Sequence, residues 1–211
     1  MTLARGLKLS LAAAALVFCQ LFGGPAFAAP HIEVVGGSAS EADVAADETV
    51  THRASGFVYP KQIGDMPLRK IIVYGPGDVS ADYTNRGGGN GDAWTTFYVY
   101  PAEIGLDDEL ANIEGAIGER LTGAEVKAPA SPPATMRGGR SKWYKGKYGG
   151  LDVTTGYAIV QRGDWFLKAR FTIPDQAGQE GIDRTVAAVA ALPWEWSPSA
   201  SQARDQKVAA R

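Results

Sequence analysis

The nine residues WFLKARFTI (165–173) constrain the fold more than any other stretch of this chain. Trp165, Leu167, Ala169, Phe171 and Ile173 fall on one side of an extended backbone. Phe166, Lys168, Arg170 and Thr172 fall on the other. A period of two belongs to a β-strand, and a strand this apolar on one side must lie on a core. DVSADY (78–83) repeats the pattern, with Val79, Ala81 and Tyr83 opposed to Asp78, Ser80 and Asp82. Further strands are predicted at GFVY (56–59), LRKIIVY (68–74), WTTFYVY (94–100), SKWYKGKY (141–148) and LDVTTGYAIV (151–160), with an optional edge strand over 32–35.

Two segments carry helical spacing instead. Leu106, Leu110, Ile113, Ile117 and Leu121 form one apolar stripe. Asp107, Asp108 and Glu109 load its first turn, as the helix dipole favours, and Gly123 marks a stop. GIDRTVAAVAAL offers Ile182, Val186 and Val189 as a second stripe, ended by Pro193. Many strands with two inserted helices predict an α+β fold: an antiparallel sheet of about six or seven strands packed against two main helices in a single domain.

The ends read differently. Arg5 and Lys8 precede an apolar run of about 14 residues, Leu9 to Phe22, and then Ala26-Phe27-Ala28. That order describes a signal peptide over 1–28, in a run too short to span a bilayer comfortably. Cleavage there discards Cys19, so disulfides and thiolate chemistry are not expected. Residues 29–53 are acidic and Ala-rich and read as a flexible leader. Residues 54–196 form the domain, and 197–211 read as a disordered polar tail. The expected location is periplasmic or extracellular, with no transmembrane segment after cleavage. Removing Arg5 and Lys8 from 21 cations leaves 19 against 23 acids, which argues against nucleic acid as a partner.

The runs GFVYPKQIGDMPLRKIIVYGPGDVSADYT, TTFYVYP and GDWFLKARFTIP together resemble a group of uncharacterised secreted bacterial proteins, a domain of unknown function. The resemblance spans residues 56–174. It implies a small α/β sandwich like those of PsbP-like photosystem accessory proteins and of Ran-binding proteins. It implies no catalytic residue.

The glycine-rich RGGGNGD (86–92) matches neither a phosphate loop nor a calcium nonapeptide and reads as a hairpin connection. His31 and His52 are the only histidines, and both fall in the leader. A Ser-His-Asp triad would have to recruit His52, and no cofactor or metal site is expected. The remaining nominees are few. Lys168 and Arg170 share a strand face and offer an anion site, shared with Asp82 or Thr154. Trp143 and Tyr144, set among four cations in RSKWYKGKYGG, offer an aromatic-basic patch. Arg162-Gly163-Asp164 reads as hairpin chemistry. Ala111, Gly115 and Gly118 form a small-residue stripe on the first helix. These features favour a non-enzymatic domain binding a small ligand or an envelope protein. Two alternatives remain: a hydrolase-type enzyme using carboxylates or a lysine on the sheet face, and an envelope structural factor.

Overall fold

The structure is a computed structural model, and it describes residues 30–84, 92–127 and 133–198. The expected signal peptide, most of the glycine loop and nearly all of the polar tail lie outside the described residues. The strands are β1 (His31–Val34), β2 (Ala42–Val44), β3 (Val50–His52), β4 (Val58–Tyr59), β5 (Gln62–Ile63), β6 (Met66–Gly75), β7 (Asp78–Thr84), β8 (Trp94–Pro101), β9 (Leu121–Lys127), β10 (Arg140–Tyr148), β11 (Leu151–Arg162) and β12 (Trp165–Pro174). The helices are α1 (Leu106–Arg120) and α2 (Gly178–Ala190).

The antiparallel sheet of six or seven strands expected from the sequence is not what forms. A mixed sheet of nine strands runs in the order β1-β6-β7-β8-β12-β11-β10-β9, with β5 added on β6, and β2-β3-β4 make a second, three-stranded sheet. The mixed character comes from β1, which runs parallel to β6 with Ile32 beside Ile71 and Val34 beside Val73. Parallel neighbours need a long crossover. The crossover here is residues 35–65, the stretch that carries the small sheet.

Residues 35–53 of that stretch belong to the segment whose composition predicts a flexible leader. Residues 29–53 contain β1, β2 and β3, and Ala42, Val50 and His52 are buried there. Few apolar residues suffice, because each one enters a core already supplied by the large sheet. The first helix also ends earlier than Gly123 suggested. Its last residue is Arg120, and Leu121 already belongs to β9, where Gly123 takes φ +68°.

Both faces of the large sheet are covered. On one, Val79, Ala81, Phe97, Val99, Leu167, Ala169 and Phe171 meet Val50, Phe57 and Tyr59 of the small-sheet region, together with Ala188, Val189, Leu192 and Trp194. Each large side chain buried this way contributes about 1.5–3 kcal/mol. On the other, Ile113 and Ile117 of α1 pack on Tyr144, Val153, Tyr157, Ile159 and Phe166.

The stripe expected for α1 is therefore the one that packs. The stripe expected for α2 is rotated. Gly181, Thr185, Ala188 and Val189 are buried, whereas Val186 is 39% exposed. Small residues let this helix approach closely: a Cβ on Gly181 would stand 3.1 Å from Ile173.

Candidate binding cleft between the first helix and the sheet

The residues nominated from β12 are only partly exposed. Strand β12 lies between β8 and β11, so Lys168 is flanked by Tyr98 and Ile159, and Arg170 by Thr96 and Tyr157. The next strand outward, β7, puts Ser80 beside Tyr98 and Asp82 beside Thr96. Period-two alternation on four adjacent strands thus places Lys168, Arg170 and Asp82 on one face. Helix α1 lies across part of that face.

Lys168 is enclosed. Its side chain is 18% exposed, and Nζ is 3.5 Å from Oε1 of Glu109, whose side chain is 13% exposed. The same Nζ stands 4.8 Å from the ring centre of Tyr98 and 4.5 Å from that of Tyr100. Burial lowers the lysine pKa, and the Glu109 carboxylate opposes part of that shift. The two aromatic faces favour the ammonium form as well. Tyr100 donates its hydroxyl hydrogen bond to the same Glu109 oxygen. Lys168 is thus committed to an internal pair that ties the first turn of α1 to the sheet.

Asp82 is also engaged. Thr96 donates to it from 2.7 Å, and Lys70 lies at 3.9 Å while holding Glu33 at 2.9 Å. Burial raises the Asp82 carboxyl, with Thr96 and Lys70 pulling the other way. Asp78, on the same strand face, is raised by burial and partly restored by Lys168.

Arg170 differs from these neighbours. It is half-buried, and among the described residues no carboxylate lies within ion-pairing distance of it. It lines a cleft of about 110 Å³ with Lys168, Tyr98 and Tyr157 on the sheet side. Ile113, Ala116 and Ile117 of α1 form the opposite wall. The hydroxyl of Tyr157 donates to Glu114 at 2.7 Å, and Lys142 reaches the same carboxylate at 2.7 Å, pulling it below the usual carboxylate range. Tyr74 stacks on Tyr98 at 6.2 Å with 23° between the rings, shielding the outer side.

The other nominees are separated. Consecutive residues of a strand point to opposite faces. Trp143 packs on Phe171 at 4.3 Å in the larger core, while Tyr144 packs in the α1 cluster. No aromatic-basic patch is made from the pair. Thr154 faces away from Asp82, beside Lys145 and Ile173. Arg162 donates to the carbonyls of Trp194 (2.8 Å) and Arg137 (3.1 Å), so it pins the C-terminal segment rather than presenting a tripeptide. A Cβ on Gly115 or Gly118 would meet nothing within 4 Å. No element of the described chain approaches that stripe.

His52 lies in neither a flexible leader nor an accessible triad. Its Nδ1 is 2.6 Å from Oγ of Ser55, and its ring meets Trp165 edge-on at 5.1 Å. Both residues are fully buried, and Ser55 Oγ also accepts the Phe57 N–H at 3.1 Å. The serine–histidine contact is sealed from any substrate and acts as a core hydrogen bond.

Sequence reasoning missed Glu109, Tyr98 and Tyr100. The alternation of Thr96, Tyr98 and Tyr100 in TTFYVYP could have placed them beside Lys168. Glu109 carried no such signal, because its charge already had a reading in the helix dipole. No family model, curated protein or solved structure matches the chain, so its function rests on what these side chains can do.

Proposed function

We propose that this protein is an exported, non-enzymatic domain that binds a small ligand in the cleft between α1 and the large sheet. The observation that carries this reading is Arg170: a half-buried cation on the wall of a cleft, with no carboxylate partner among the described residues. Desolvating a guanidinium without pairing it is costly, and a ligand that pairs it removes that cost. The surroundings support binding rather than turnover. Lys168 is neutralised by Glu109, Asp82 is held by Thr96 and Lys70, and His52 is sealed in the core. The amino-terminal sequence supports a location in the periplasm or outside the cell.

The test is a thermal-shift screen of wild type and Arg170→Leu against metals, sugars, nucleotides, lipids and small organic acids. One class is expected to raise the wild-type melting temperature by several degrees and to leave the variant unmoved. The variant's own melting temperature should stay within a degree or two of wild type. A large drop in the unliganded variant would make Arg170 a structural residue and end the proposal.

A further inference from the structure

The cleft's chemistry narrows the ligand class, on the reading that the α1–sheet cleft is the binding site. We infer that it takes a small monocarboxylate with a short apolar body, the carboxylate on Arg170 and the body between Ile113, Ala116, Ile117 and the tyrosine rings. Charge gives the first part. Of the two cations in the cleft, Lys168 is paired with Glu109 at 3.5 Å. Tyr157 is engaged with Glu114. Among the described residues of the cleft, the guanidinium of Arg170 is left as the donor group whose charge is not already met, and its planar fork suits a single carboxylate. A dianion would bring one charge more than Arg170 can meet, because Lys168 is already paired with Glu109.

Shape gives the second part. The α1 wall consists of two buried isoleucines and one half-exposed alanine, with no polar atom of a side chain to meet a hydroxyl or an amide. A cavity of about 110 Å³ bounded by these residues suits a small ligand rather than a drug-sized one. Ala116 is the partly exposed member of that wall, so a larger residue there would fill the cleft while leaving the buried Ile113 and Ile117 in place.

Isothermal titration and ligand-detected NMR would compare propionate, butyrate and isobutyrate with butyramide, butylamine and glucose. The proteins would be wild type, Arg170→Gln and Ala116→Leu, all at one pH and ionic strength. Butyrate should bind wild type at least tenfold more tightly than butyramide, and both variants should lose at least tenfold while unfolding at the wild-type temperature. Equal affinity for butyrate and butyramide, or butyrate binding unchanged in Arg170→Gln, overturns the carboxylate assignment. If glucose or butylamine binds wild type and is lost from Ala116→Leu, the ligand class is wrong and the cleft stands. If none of the probes binds wild type, the carboxylate assignment is rejected, and the thermal-shift screen then decides whether the cleft reading falls with it.

Discussion

Lowering the pH from 7.5 to 5 should weaken this protein by an amount that one residue sets. His52 is 0% exposed, and burial pulls its pKa down to about 4, with the Gly77 backbone opposing a small part. In the unfolded chain the same ring titrates near 6.5. Below that value the unfolded state takes up a proton that the native state refuses. The stability His52 confers is therefore full above about pH 6.5 and is lost as pH falls through about 4. Linkage gives roughly 2 kcal/mol lost between pH 7.5 and 5, and about 3 kcal/mol once both values are passed. Urea unfolding followed by tryptophan fluorescence would measure it in wild type and His52→Asn. The asparagine can keep a hydrogen bond to Ser55 but cannot titrate. Asp78 and Asp82, whose carboxyls are raised by burial, act in the opposite direction as pH falls, and they cancel in the difference between the two proteins. The wild-type curve should fall about 2 kcal/mol further than the variant's by pH 5. Parallel curves would refute the argument, because they would mean that His52 is protonated as easily in the native state as in the unfolded one.

Other outcomes follow from the same coordinates. Lys168→Met leaves the largely enclosed Glu109 without its cation and should cost about 2–4 kcal/mol in urea unfolding, while Lys168→Met with Glu109→Gln should recover much of that. Full cost retained in the double variant would mean that the pair does not couple. Trp194, 0% exposed, meets Phe97 at 5.5 Å and donates to the Val189 carbonyl at 2.7 Å. Trp194→Ala should lower stability by about 3–5 kcal/mol, and a loss below 1 would show that the C-terminal segment does not close the core. Two glycines should respond with opposite signs to alanine. A Cβ at Gly156 would lie 2.4 Å from the Lys142 carbonyl and 2.7 Å from the Phe171 ring, so Gly156→Ala should cost about 1–3 kcal/mol. Gly115→Ala, open on an exposed helix face, should gain up to about 1 kcal/mol, and thermal unfolding reads both.

Local pattern is enough to place the long strands and the first helix. The alternation of 68–74, 78–83, 94–100, 141–148, 151–160 and 165–173 lies within observed strands, and the Leu106–Ile117 stripe is the face that α1 buries. Alternation states which side chains share a face, and that was enough to group Lys168 with Arg170. It cannot state what covers the face, because the covering element comes from a distant part of the chain. Long-range packing is what encloses Lys168 with Glu109 under α1, leaves Arg170 at a cleft, and sends Trp143 and Tyr144 to different cores. It also decided that His31–Val34 adds in parallel and that residues 42–59 build a second sheet. Those last elements are two to four residues long, too short for any period to register. They hold because the large sheet supplies both the hydrogen-bond partners and the apolar surface that so few residues cannot provide for themselves.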